Sequence, residues 1–374
     1  MRLVLSPEQQ ELRSAARKFL ADQSPPSKVR AAMTSEQGYD RELWARMAGE
    51  LGVLGLVVPE ALGGSGAGHV ERAVVAEELG RAVVPTPFFG SAVLAVDALL
   101  ALDDEDARAE LLPALASGEL IGALAVAEAA GSWDGTGGAT TATRRDGRWE
   151  LDGVKTFVVA GDVAELLLVY ARTEDGPGWF AVRDSPAEPA PGLARTTLRS
   201  LDPTRRLAGL AFTATPAHPL ASADPAAALE LVRDLAAVAL AAEQVGGLER
   251  AMELTADYAK VRVQFGRPIG SYQAVKHGIA DMYNSWEHAV SVLRYAAWTA
   301  DHDRAELSLA GALAQSYIGP AYFAVATGMV QYHGGIGYTW EHDAHLYYTR
   351  AKSSELLLGT PAQHRARLAD RLGI

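Results

Sequence analysis

Apolar residues recur at helical spacing from the start of the chain. Leu12, Ala16, Phe19 and Leu20 follow Ser6-Pro7, a capping residue with proline at the first helical position. Residues 42–51 and 69–80 repeat that period. The stretch 55–68 between them, GLVVPEALGGSGAG, holds one proline and five glycines and reads as a shaped loop. From about residue 119 to 218 the texture changes to strands. Residues 140–143 and 148–151 flank Arg145-Asp146-Gly147, whose Asp-Gly pair is a hairpin signal. Residues 156–159, 165–170 and 179–182 carry β-branched, aromatic and aliphatic runs, and the proline-rich 185–192 reads as a loop. Beyond Asp224-Pro225 the helical period returns over 226 to about 260, 273–302, 306 to about 331, and 343–357, with a kink expected at Pro320. Four helical runs with short connections imply a bundle. The expected fold class is α+β: an N-terminal helical domain (1–118), a middle β domain (119–218) and a C-terminal helical bundle (219–374).

Composition narrows the function. The 374 residues are 49% hydrophobic and 21% charged, an ordinary globular balance. A net charge of −12 repels polyanions, which argues against nucleic acid and anionic membranes as partners. There are no cysteines, so disulfides and thiolate chemistry are excluded. The nine histidines show no HExxH or similar spacing, so no metal site is expected. The first residues lack a basic start followed by an apolar block, and apolar runs such as 235–242 are too short to span a bilayer, so a cytoplasmic location is expected. No internal repeat is seen, and no GxGxxG follows a strand.

Three segments carry candidate chemistry. In residues 258–273, YAKVRVQFGRPIGSYQ, Arg262 leaves a helix end before a Gly/Pro turn, and its planar fork suits a pair of diphosphate oxygens. Phe265 offers a flat apolar face and Gln273 an amide. Alone, the segment is equally a helix–turn–helix corner with an exposed arginine. In residues 331–339, QYHGGIGYT, Gly334, Gly335 and Gly337 would let backbone approach a ligand, although Gly-Gly more often marks a helix end. Residues 127–132, AEAAGS, lie at the entry to the β segment and would alone be an ordinary loop.

Together, in this order and spacing, the segments resemble the acyl-CoA dehydrogenase family. The resemblance extends over nearly the whole chain, including Pro59-Glu60…Gly63-Gly64 and Glu77-Glu78-Leu79-Gly80. It implies a helical domain, a middle β-barrel-like domain and a C-terminal four-helix bundle. It also implies FAD as cofactor, held between the middle domain and the bundle and completed by a neighbouring subunit in a homo- or hetero-oligomer. By position, Arg262, Phe265, Tyr272 and Gln273 would meet the partner's FAD, and Gln331, Gly334 and Gly335 its adenosine end. Ser132 would sit near flavin and thioester, Phe157 replaces the tryptophan usually stacked on the flavin ring, and Thr360 would also contact FAD. Asp234 would lie near the CoA portion of an acyl-CoA thioester substrate. An electron-transfer acceptor protein is an implied partner.

The departures are as informative. The usual Thr-Glu-Pro is Ala127-Glu128-Ala129, one residue shorter to Ser132. The flavin-facing Trp-Ile-Thr-Asn is Phe157-Val158-Val159-Ala160. An arginine usually three residues after Asp234 is Ala237. Family enzymes remove the α-proton with a glutamate at one of two places, and here those places hold Leu358 and Ala236. A positioned base contributes roughly 10²–10⁴ in rate. Glu355, one turn before Leu358, is the nearest replacement, although a glutamate there reads first as a solvated surface residue. The catalytic residue is therefore left open. Three readings follow: α,β-dehydrogenation of an acyl-CoA with a displaced base; a base-lacking, half-site subunit of an α2β2 assembly like those acting in bacterial steroid degradation; and a flavin monooxygenase of the same fold.

Overall fold

A computed structural model describes residues 3–136 and 138–374. Among these, the element order is helices, strands, helices. The first block is α1 (Pro7–Gln23), α2 (Pro26–Thr34), α3 (Arg41–Gly49), α4 (His69–Arg81), a π-helical turn (Phe89–Ala95), α5 (Val96–Ala101) and α6 (Glu105–Ala116). The second is β1 (Gly122–Ala125), β2 (Thr141–Arg145), β3 (Arg148–Val159), β4 (Leu166–Thr173), β5 (Gly176–Arg183), β6 (Leu193–Thr197) and β7 (Leu207–Leu220). The third is α7 (Pro225–Val261), the short pair β8 (Val263–Gln264) and β9 (Arg267–Pro268), α8 (Gln273–His302), α9 (Leu307–His333), α10 (Ala344–Leu356) and α11 (Pro361–Leu372). No helix among the described residues is long and apolar enough to cross a membrane.

Local chemistry explains several boundaries. Ser6 caps α1 in a reciprocal box with Gln9, and Pro7 opens the helix. The β2–β3 hairpin turns on Asp146 and Gly147, both at positive φ (49° and 81°), as a tight turn requires. α9 continues through Pro320. The terminal helix α11, absent from the sequence expectation, is set by Thr360 and Gln363, which cap each other's backbone amides, with Pro361 at the first position.

By contacts the chain divides into two units. One comprises residues 1–31, 69–84 and 237–374, and the other 32–68 and 85–236. In the second unit the strands close a ring: β4 pairs β2, β2 pairs β3, β3 pairs β7, β7 pairs β5, and β5 returns to β4. Closure leaves the five ring strands no free edge, while β1 and β6 add to β4 and β7. Both faces of β4 are covered, since the consecutive residues Leu166, Leu167, Leu168 and Val169 are all fully shielded, as is Leu151 of β3.

In the first unit α4 and α7 touch backbone to backbone. A Cβ on Gly246 would fall 1.7 Å from the Glu77 carbonyl oxygen, and one on Gly80 would fall 2.0 Å from that of Glu243. Glycine ordinarily costs a helix up to about 1 kcal/mol relative to alanine, but here only glycine fits. Gly246→Ala is therefore expected to destabilise the protein by about 2–3 kcal/mol in denaturant titration. Gly49→Ala, where a Cβ meets nothing within 4 Å, should show no such loss.

Candidate functional site

The candidate residues fall into two groups, one in each unit. In the β unit the entry loop is organised by a buried ion pair. Lys155 Nζ donates to Glu128 Oε1 and to the Val126 carbonyl, each at 2.9 Å, and both side chains are nearly buried. The Glu128 carboxylate also accepts the amides of Ala139 and Thr140 at 2.8 Å, which closes the loop around residues 128–140. Burial acts to raise the Glu128 pKa. The Lys155 ammonium and the two amides outweigh it and hold the carboxyl down at about 2. Burial also pushes the Lys155 ammonium below its ordinary value, against the pull of Glu128.

Ser132 sits on this loop and shares a cavity with Glu128 and Lys155. Phe157 lies two residues beyond Lys155, where the β3–β7 register shifts between Lys155 and Val158. It takes φ 52°, a left-handed value costly for a side chain with Cβ, and the residue is 41% exposed. A Cβ on Gly131 would lie 3.2 Å from that ring. The Phe157 ring therefore lies against Gly131, the residue before Ser132. The bulge allows Lys155 to stay buried while Phe157 faces out. Asp234, on α7, is 4% exposed.

The second group sits at the ends of α7 and α9. Arg262 is exposed just beyond α7, and Phe265 (φ 52°) and Gly266 (φ 80°) make the turn between β8 and β9. Phe265 is 93% exposed, with Val261 and Val263 exposed beside it. Tyr272 is fixed by its hydroxyl, which donates to the Gln264 carbonyl at 3.1 Å, and by the Arg267 guanidinium 4.0 Å over its ring. Gln273 opens α8 with its side chain exposed. Gln331, Gly334 and Gly335 are exposed at the end of α9, and a Cβ on either glycine would meet nothing within 4 Å.

The residue that joins these segments escaped the sequence reading. His333 is buried, stacks on Tyr258 of α7 at 4.4 Å and 25°, and meets the His342 ring at 4.4 Å. Its Nδ1 lies 2.8 Å from the Met329 carbonyl. The available signal was a histidine immediately before Gly334-Gly335, following Tyr258 four residues ahead of Arg262. Burial lowers the pKa values of His333 and His342 below the ordinary 6.5.

Thr360 is exposed, and its hydroxyl serves the α11 cap. Leu358 and Ala236, at the two positions where a base was sought, are 7% and 0% exposed. Glu355 corrects an expectation. It is no solvated surface residue: its side chain is 10% exposed and pairs with Lys352 Nζ at 2.6 Å, because α10 packs that face inward. No group of three or more His, Asp or Glu side chains suited to a metal ion occurs among the described residues.

Comparison with known proteins gives the class. Residues 6–119 match the acyl-CoA dehydrogenase N-terminal domain, and residues 233–373 the C-terminal domain. The chain belongs to the acyl-CoA dehydrogenase family, FAD-dependent oxidoreductases acting on CH–CH groups. It is 39% identical over 365 residues to acyl-CoA dehydrogenase IpdE2 of Mycobacterium tuberculosis, covering 98% of this chain and 97% of that one. Among solved structures it is similar to a variant of the Tcur3481-Tcur3483 steroid ACAD (TM-score 0.88, 33% identity, 98% of each chain). It is also similar to the ChsE4-ChsE5 complex from Mycobacterium tuberculosis (TM-score 0.89, 29% identity, 100% of this chain and 99% of that one).

The buried charges make stability sensitive to substitution and to pH. Glu128→Gln strands the buried Lys155 charge and is expected to cost about 3 kcal/mol at neutral pH in denaturant titration. Because the folded pKa of Glu128 is depressed, its contribution is present above its ordinary value of 4.5 and lost as pH falls towards about 2, so the gap between wild type and variant should narrow across that window. For His333 the folded form also binds protons less readily than the unfolded chain. Its contribution is whole above pH 6.5 and lost as pH falls below it. His333→Phe, which keeps the stack, should flatten the fall in thermal stability between about pH 6.5 and 5.

Proposed function

We propose that this chain is the base-lacking subunit of a heteromeric, FAD-dependent acyl-CoA dehydrogenase, with a steroid-CoA thioester as the substrate class. One observation carries the reading: both positions at which a family glutamate would take the α-proton are buried aliphatic side chains, Leu358 and Ala236. Neither can accept a proton, and the carboxylate nearest Leu358 in sequence, Glu355, is engaged by Lys352. A glutamate-bearing paralogous subunit supplies what is missing.

The residues present fit FAD. Phe157 offers an outward aromatic face, Arg262 an uncovered planar fork, and Gly334-Gly335 a backbone that nothing crowds. Phe157 would lie on the flavin ring, with Ser132 beside it and near the thioester. Arg262, with Phe265, Tyr272 and Gln273, would hold the partner subunit's cofactor at the diphosphate. Gln331, Gly334 and Gly335 would meet its adenosine end, Thr360 would add a further contact, and Asp234 would face the CoA portion. Bound FAD supplies the acceptor for the hydride leaving the β-carbon. A phenylalanine 93% exposed beside two exposed valines makes sense as a surface that a second subunit covers. Relatives described as a steroid ACAD of two named chains and as a two-chain complex support both the pairing and the substrate class.

The test is anaerobic titration with a panel of acyl-CoA and steroid-CoA thioesters while following oxidised flavin absorbance. The chain alone, given FAD, should stay yellow or retain no flavin. Co-expressed with a glutamate-bearing paralogue it should bleach. Bleaching by the chain alone would overturn the reading and turn attention to Glu355 as a displaced base. Oxygen uptake with reduced flavin would instead mark a monooxygenase.

A further inference from the structure

Two guanidiniums on the hairpin after α7 have no carboxylate. Neither Arg262 nor Arg267 makes an ion pair among the described residues, and residues 258–273 contain no aspartate or glutamate. The other cation of the segment, Lys260, is taken by Asp257 at 2.9 Å. The chain as a whole has a net charge of −12, so this segment runs against its surroundings.

The ribbon sets both arginines on one side. Gln264 pairs directly with Arg267, and Val263 with Pro268. The Ile269 amide donates to the Arg262 carbonyl at 2.8 Å, which continues the pairing by one position. Residues directly opposite share a face, and alternate residues along a strand return to it. Arg262, Gln264 and Arg267 therefore face one way, with the two arginines on a diagonal, about 7–8 Å apart at their bases. Side chains as long as arginine close that gap. Arg267 is also held still. Its guanidinium lies 4.0 Å over the Tyr272 ring, and the Tyr272 hydroxyl donates to the Gln264 carbonyl at 3.1 Å. The stack orients the charge without neutralising it. Two like charges on one face of a short ribbon repel, so the arrangement is unfavourable until an anion lies between them.

We infer that Arg267 is a second diphosphate-holding residue, which closes with Arg262 on the two phosphates of the partner subunit's FAD; this rests on the function proposed above, in which Arg267 has no part. Each planar fork can take two oxygens of one phosphate. Two forks on a diagonal match two linked phosphates, whereas a single phosphate leaves one fork empty. Tyr272 then acts through Arg267 as a positioning residue, since it fixes the guanidinium before the cofactor arrives.

The test uses the flavin-free heteromer of this chain with its glutamate-bearing paralogue, titrated with FAD by calorimetry. Arg267→Gln should weaken FAD binding about tenfold or more, and Arg267→Lys, which keeps the charge without the fork, should recover part of that loss. Displacement of FAD separates phosphate binding from structural support. Pyrophosphate should displace FAD from the wild-type heteromer at a concentration about tenfold or more below that of inorganic phosphate, and in Arg267→Gln that advantage should be lost. The flavin-free Arg267→Gln protein should melt no lower than wild type, because a like charge has gone. FAD affinity unchanged in Arg267→Gln but lost in Arg262→Gln would overturn this inference alone. So would a lower melting temperature of flavin-free Arg267→Gln with the pyrophosphate advantage intact, the mark of a structural role. FAD affinity unchanged in both variants would remove the placement of this hairpin on the partner's cofactor, and this inference with it.

Discussion

The helical unit depends on the backbone contact between α4 and α7. Two glycines, Gly80 and Gly246, let the helices approach until carbonyl oxygens occupy the places where side chains would begin. That closeness buries the carboxylates of Glu77 and Glu78, each 2% exposed, and buried carboxylates must be paired. The surrounding helices supply the cations. Arg294 of α8 binds Glu77 through two nitrogens, and Arg13 and Arg17 of α1 hold Glu78 at 2.7–3.1 Å while reaching Glu249 of α7. Arg81 joins Glu249 and Glu253, and its carbonyl accepts the Tyr347 hydroxyl of α10. Asp301 of α8 caps the first amides of α4 at 2.7 and 3.0 Å. α1 and α8 are thus placed against carboxylates that the glycine contact has taken out of water.

The contact also sets which way α7 faces. Rotating the helix would drive side chains into α4, so Gln244 is held towards Gly319 and Tyr258 towards His333. The closed strand ring plays the same part in its own unit. It fixes β3 on both sides, so a single register shift can turn Phe157 out while the Lys155–Glu128 pair anchors the loop carrying Ser132. In both units a rigid frame presents a few polar or aromatic groups whose own environment is unfavourable: a phenylalanine at positive φ, an unbonded amide, an exposed phenylalanine on a hairpin.

Much of the frame was legible because its signals are local. Ser6-Pro7, Asp146-Gly147 and the long apolar periods each act within one turn or one hairpin, and those elements stand where the sequence puts them. What was not legible depends on partners far along the chain. Glu128 and Lys155 are 27 residues apart, and the hairpin between them hides the pairing. Glu355 looked like a surface residue because nothing local reveals that α10 lays it against a glycine of α9. Residues 360–363 show a different limit: the capping signature Thr360-Pro361…Gln363 is present in the sequence, but the helix α11 that it starts is too polar for an apolar period to mark it. The bulge at Phe157 has no sequence mark at all, since valines and phenylalanine read as uninterrupted strand.

The pattern of departures bears on what kind of protein this is. Loss of function by drift would erode holding and reacting residues alike. Here the features suited to holding a dinucleotide persist: Arg262 at its helix end, the uncrowded Gly334-Gly335 turn over the buried His333, the hairpin braced by Tyr272. The departures from the family pattern fall at Leu358, Ala236 and residues 157–160. On the function proposed above, a chain with Leu358 and Ala236 at the base positions but with Arg262 and the Gly334-Gly335 turn still available would hold the cofactor without moving the proton. On that proposed function, the proton transfer falls to another subunit.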